Sequence, residues 1–230
     1  MKYVNMGQSC SMLSQMKQHM GYNDGSHIFD WMITDFTGVI QTFKKKEFSV
    51  SDFTTERVFF NEYTRWPLRL RKNPVSPPKN NEDRGWEQNK LLVECNSFPF
   101  VSVHYIEKNK DRDEEMNKFV DMINRRLERI KKYILHENEI TFMYYVTDMF
   151  LSPFAPNQSD IDCFDEVLRS INPHVNYKLV VFISEQDLEH LKIKPTKEYR
   201  ILKKIDNSAM RSDWRDGHLD WGYFLKNGKP

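Results

Sequence analysis

The amino-acid sequence predicts an α/β domain with a mostly parallel sheet and helices on both faces. Three observations carry that expectation. A short apolar run ends in glycine and leads into a helical pattern, giving a strand-turn-helix unit from Tyr3 to Met20. A long amphipathic pattern, Asp113 to Leu135, precedes the apolar run Ile140 to Val146, which reads as a buried parallel strand. Beyond it, strand-like and helix-like segments alternate, as crossover connections in a parallel sheet require.

The first strand is Tyr3-Val4-Asn5-Met6, the turn is Gly7-Gln8-Ser9, and Cys10 stands at the mouth of the helix. Met12, Leu13, Met16 and Met20 recur at the spacing of one helix face, and Gly21 sits where a C-terminal cap belongs. Asp35 to Phe43 reads as a second helix on Phe36, Val39, Ile40 and Phe43. The lysines at 44, 45 and 46 suit the negative end of its dipole and read as a solvated end.

Residues 48–97 form a loop-rich stretch of aromatics and prolines. Arg65, Arg69, Arg71 and Lys72 lie there among aromatics. They read as wet residues of an edge segment, with a phosphate or nucleic-acid cradle as the alternative. Phe98 to Ile106 is a strand carrying His104 near its end. The long helix that follows buries Met116, Phe119, Val120, Ile123, Leu127, Ile130 and Ile134, and turns Arg125, Arg126, Arg129, Lys131 and Lys132 to solvent.

Asp160 to Ile171 predicts a helix stopped by Asn172-Pro173. Then come a strand (Lys178 to Ile183), a short helix (Glu185 to Leu191), a strand (Tyr199 to Ile205) and a closing helix (Ser212 to Leu225) with Trp214, Leu219, Trp221 and Phe224. No internal repeat is visible, and residues 1–230 read as one domain.

The composition, 39% hydrophobic and 29% charged, is that of a folded soluble chain. No run approaches the ~20 apolar residues of a membrane span, and the start of the chain lacks a secretory signal pattern. Three cysteines, Cys10, Cys95 and Cys163, form no CxxC pair and leave one over from any pairing, which predicts reduced thiols and a cytoplasmic location. A net charge of +1 gives no global field for nucleic acid, and none is expected as a partner.

Cys10 is the first candidate for chemistry, because a helix N-terminus favours the thiolate. His104 is the candidate base, and backbone N–H groups after Gly7, with Gln8 and Ser9, are candidate oxyanion or substrate contacts. A structural thiol and a hydrogen-bonded histidine are the alternative. Asp30, enclosed in Phe29-Asp30-Trp31, needs a partner if buried. It would orient His104, cap the next helix or pair with an arginine, and Trp31 beside it is a candidate substrate contact.

Ser9 offers a rival nucleophile, with Asp216 and His218 late in the chain in the order some esterases use. The other histidines show no paired ligand spacing, and neither a Walker loop nor GxGxxG is present. No metal site and no cofactor are expected.

Met6-Gly7-Gln8-Ser9-Cys10, Phe29-Asp30-Trp31-Met32-Ile33, Val103-His104, the charged helix, the strand Ile140 to Val146, and Asp213-Trp214 to Trp221 together resemble a papain-like cysteine peptidase family. It is a domain of unknown function found in bacteria and large DNA viruses, and the resemblance spans nearly the whole chain. It implies Cys10 as nucleophile, His104 as its histidine and Asp30 as a third member, in host cytoplasm if the chain is viral. Where that family commonly has His-Asp-Phe, this chain has His104-Tyr105-Ile106.

The expected function is therefore a cysteine-dependent hydrolase acting on a peptide or other acyl bond. The alternatives are a glycan-related transferase or esterase using the Gly7 to Cys10 turn, or a non-catalytic binding module of the same fold. Substrate and oligomeric state are left open by the residues.

Overall fold

The computed structural model describes residues 2–7, 10–22, 25–55, 90–146, 155–205 and 219–226, with the side chains of Cys10, Ser11, Val103 and His190 outside that description. Among these residues the strands are β1 (Lys2–Asn5), β2 (Met32–Thr34), β3 (Phe53–Thr54), β4 (Lys90–Cys95), β5 (Phe100–Glu107), β6 (Ile140–Val146), β7 (Tyr177–Ser184) and β8 (Tyr199–Leu202). The helices are α1 (Cys10–Met20), α2 (Phe36–Lys44), α3 (Arg112–His136), α4 (Gln158–Ile171), α5 (Glu185–His190) and α6 (Trp221–Lys226), with a 3-10 turn at Val50–Asp52.

The fold is α/β. One sheet, in the order β1-β6-β7-β8, is parallel throughout. A second, in the order β2-β5-β4-β3, is antiparallel. The mostly parallel sheet is as expected from the sequence; the antiparallel sheet is an addition to it. β6 is buried along its whole length, which is why its seven residues lack polar alternation.

Successive residues of a strand face opposite sides of its sheet, and the two sides of the parallel sheet meet different apolar clusters. Phe142, Tyr144, Val181 and Ile183 join Phe36 and Phe43 of α2, Ile123 and Leu127 of α3, and Phe164 of α4. Phe100, Phe48 and Phe53 belong to that same cluster, so the antiparallel sheet shares the larger core. Met143, Tyr145, Val180 and Phe182 instead meet Met12, Leu13 and Met16 of α1 and Trp221 and Leu225 of α6. Phe142 and Phe164 cross edge to face at 5.3 Å, and Phe43 lies 5.9 Å from each.

Helix starts follow local chemistry. Asp35 caps α2 by accepting from the Gly38 N–H, and Asn157 and Asp160 form a reciprocal capping box at α4. Asp111 caps α3, whose first turn carries Asp113, Glu114 and Glu115 at the positive end of the dipole.

Three local expectations change. The closing helix begins at Trp221 within the described residues, because Leu219 pairs in an antiparallel bridge with Lys204 and Asp220 hydrogen-bonds Lys203; residues 211–218 lie outside the description. Part of the loop-rich stretch is strand, at β3 and β4, while residues 56–89 lie outside. Arg126, Arg129 and Lys131 are half-buried rather than turned to solvent. Their charges are spent on the Tyr105 hydroxyl and on the carbonyls of His27, Ser26 and Lys45. No described helix is long and apolar enough to cross a membrane.

Candidate functional site

β1 is one edge of the parallel sheet and β2 one edge of the antiparallel sheet. The two edges approach each other at Gly7, where a Cβ would stand 3.0 Å from the Thr34 methyl and 3.9 Å from the Met32 carbonyl. Gly7 has φ +89°, a value L side chains rarely adopt. Its carbonyl accepts from the Tyr145 N–H at 3.2 Å, and Met6 donates to Met143 at 2.9 Å, so the chain follows β6 past the end of β1 before α1 begins at Cys10. Cys10 thus opens an 11-residue helix, whose first turn leaves backbone N–H groups without intrahelical acceptors.

His104 lies within β5 rather than at its end. There β5 spends three residues, Val103 to Tyr105, between Ser102 and Ile106, while β4 spends only Leu92 between Val93 and Leu91. Such a bulge bends its strand and re-aims side chains. The His104 ring meets Trp31 edge-on, with centroids 5.5 Å apart and planes at 76°. Trp31 has φ +65°, an uncommon conformation for a large non-glycine residue. The Lys17 ammonium lies 5.9 Å from the centroid of the same ring.

Lys17 and Cys10 are seven residues apart on α1, hence on one stripe, separated by about 10 Å along the axis. Trp31 therefore joins Lys17, seven residues along α1 from Cys10, to the β5 bulge containing His104.

Asp30 is 1% exposed. Its Oδ1 accepts from Asn5 Nδ2 at 3.0 Å and its Oδ2 from the His27 N–H at 2.7 Å. Burial pushes its carboxyl above the ordinary carboxylate range; the Asn5 and His27 hydrogen bonds and the charges of Arg126 and Lys17 oppose that push. Its backbone carbonyl accepts from the Tyr105 hydroxyl at 3.3 Å, and Arg126 Nη1 donates to that hydroxyl at 2.6 Å. His27, fully buried, hydrogen-bonds the Tyr22 hydroxyl and lies edge-on to Tyr133.

The structure thus brings together Gly7, Asp30, Trp31 and His104 at the junction of the two sheets, beside the start of α1. Gln8, Ser9, Asp216 and His218 lie outside the described residues, as do Arg65, Arg69, Arg71 and Lys72. Cys95 and Cys163 are free thiols. Cys95 is fully buried, which raises its pKa and makes it a poor nucleophile. Among the described residues no group of three or more His, Cys, Asp and Glu could hold a metal ion.

Asn5, Lys17, Tyr105 and Arg126 are members of this junction that motif reasoning passed over. Asn5 carried a signal, as a polar residue inside the apolar run Tyr3-Val4-Asn5-Met6. The other three looked like ordinary helix or strand surface. No family model matches the chain, and neither a curated protein nor a solved structure does.

Proposed function

We propose that this chain is a cysteine-dependent hydrolase acting on an acyl bond, with a peptide bond as the leading case, of the papain-like type its sequence resembles. The observation that carries the reading is the Trp31 junction: one indole touches His104 and also the α1 stripe that Cys10 opens. In this reading His104 takes the Cys10 thiol proton and the thiolate adds to the acyl carbon. The imidazolium then returns that proton to the leaving group as the tetrahedral adduct collapses to a thioester. A water, activated by the same imidazole, hydrolyses the thioester and regenerates the thiol. In this reading backbone N–H groups after Gly7 hold the oxyanion. The natural setting is cytoplasm, where the thiol stays reduced, and nucleic acid is not a partner.

The test is labelling of the full chain by an electrophilic acyl probe, with the modified peptide identified by mass spectrometry. Cys10 takes the label, Cys10→Ala abolishes it, and His104→Ala slows it by about 100-fold or more. Unchanged labelling in Cys10→Ala, or a label carried by Cys95 or Cys163, overturns the reading.

A further inference from the structure

We propose that Asn5 is a positioning residue for the Cys10–His104 reaction: with Asp30 it fixes the turn that delivers Cys10 and ties that turn to the strand bulge carrying His104. This rests on the cysteine-hydrolase reading above. Asn5 is fully buried and lies at the C-terminal end of β1, five residues before Cys10. Its side chain joins two segments far apart in sequence. Oδ1 accepts from the Gly7 N–H at 3.1 Å, and Nδ2 donates to Asp30 at 3.0 Å.

Those partners settle which amide atom is which. A backbone N–H requires an acceptor, so the oxygen of the Asn5 amide faces Gly7 and its nitrogen is left to donate to Asp30. The hydrogen bonds therefore run in one direction, from the Gly7 N–H through Asn5 to the Asp30 carboxylate. The second carboxylate oxygen is taken by the His27 N–H.

At the other end, the Asp30 carbonyl is held by Tyr105, the residue after His104, and the residue after Asp30 is Trp31, which lies against His104 itself. A single dipeptide, Asp30-Trp31, is thus tied to the Cys10 turn through Asn5 and to the His104 bulge through Tyr105 and the indole. Two positive-φ residues, Gly7 and Trp31, stand on either side of this link. For Trp31, a non-glycine residue, such a conformation persists only where surrounding contacts over-determine it. Among the described residues the charged and titratable groups that face Asp30 are His27 on its own turn, Arg126 on α3, Tyr105 on β5 and Lys17 on α1.

The direction of the chain of hydrogen bonds supplies a test that a merely space-filling role would not pass. Asn5→Asp places two carboxylates face to face, and Asp30→Asn leaves two amide donors opposed. The double swap N5D/D30N restores every bond: Asp at 5 accepts from the Gly7 N–H and from the new amide, whose oxygen accepts from His27. The measurement is the rate of Cys10 alkylation by iodoacetamide in the full chain at pH 6.5, read by peptide mass spectrometry, with thermal unfolding alongside.

Each single swap is expected to slow Cys10 by about tenfold or more, and the double swap to return it to within about threefold of the wild type. Folded single variants that alkylate at the wild-type rate overturn the proposal. So does a double swap that unfolds at the wild-type temperature yet stays slow, and this arm decides the matter even if a single variant does not fold. A wild-type Cys10 that reacts no faster than an unstructured cysteine peptide overturns the hydrolase reading, and the positioning role with it. A fast wild-type Cys10 indifferent to the swaps overturns the positioning role alone.

Discussion

Gly7→Ala probes the positive-φ residue at which the two sheets meet. At φ +89° an alanine lies outside the regions open to L residues, which costs about 1–2 kcal/mol. Its Cβ would also stand 3.0 Å from the Thr34 methyl, in a buried spot where Thr34 is itself held by a 2.7 Å hydrogen bond to the Pro99 carbonyl. Such overpacking adds about 1 kcal/mol, the low end of its range because one methyl must give by only tenths of an ångström. The sum, about 2–3 kcal/mol, lowers the unfolding temperature of a chain this size by about 4–12 °C. The steric share is separable from the backbone share. Thr34→Ser removes the methyl but keeps the hydroxyl, so in the Gly7→Ala background it recovers about 1 kcal/mol and leaves the φ cost in place. Urea unfolding of the wild type, both single variants and the double variant gives the cycle directly. A Gly7→Ala protein as stable as the wild type, or a Thr34→Ser change that restores full stability, refutes the strain reasoning.

Three further outcomes follow from other parts of the fold. Helix propensity alone says that Gly38→Ala in α2 stabilises by up to about 1 kcal/mol, but a Cβ there overlaps the Pro99 carbonyl oxygen and Thr34 Oγ1 and lies 3.1 Å from the Pro99 carbonyl carbon. Urea midpoints should therefore show net destabilisation of about 1–2 kcal/mol, and a stabilised variant would count against the packing described at that corner. At Asp52, burial alone would raise the carboxyl, yet Lys45 at 2.5 Å and the N–H and hydroxyl of Ser49 outweigh it and hold the group below its ordinary value of 3.8. A depressed folded pKa gives stability that is complete above the unfolded value and lost as pH falls through the folded one. The stability gap between wild type and Asp52→Asn is accordingly full at pH 7 and shrinks below about pH 4; a gap that widens on acidification contradicts the assignment. Trp31→Ala removes the aromatic edge against His104, so the His104 Cε1 proton resonance must shift, and an unmoved resonance would mean the two rings are not in contact.

Legibility in the sequence tracked the length and regularity of each element. The α3 spacing from Met116 to Ile134, the near-continuous apolar run of β6 and the face of α4 were readable because each element runs for seven residues or more. β2 and β3 escaped because three and two residues are too few to show alternation, and their pairing is set by β5 and β4 rather than by their own composition. The solvent assignment of Arg126 and Arg129 failed for a related reason. A helical face looks polar in sequence whether its arginines meet water or the carbonyls of a loop a hundred residues earlier.

The site was legible in part. Glycine before a helix-opening cysteine, and an acid boxed between aromatics, both mark positions with special backbone or burial demands, and Gly7 and Asp30 have them. The bulge that re-aims His104 left no trace in Val103-His104-Tyr105, because it arises from a register shift against β4. Nor did spacing reveal that both oxygens of the Asp30 carboxylate would be occupied by Asn5 and His27.

The central claim is that Cys10 and His104 form an acid–base pair, and the pH profile of Cys10 alkylation in wild type and His104→Ala tests it most directly. The expected outcome is a wild-type thiol that titrates below the ordinary value of about 8.5 and a His104→Ala thiol that returns toward it. Superimposable profiles, with Cys10 titrating at the ordinary value in both proteins, would contradict it.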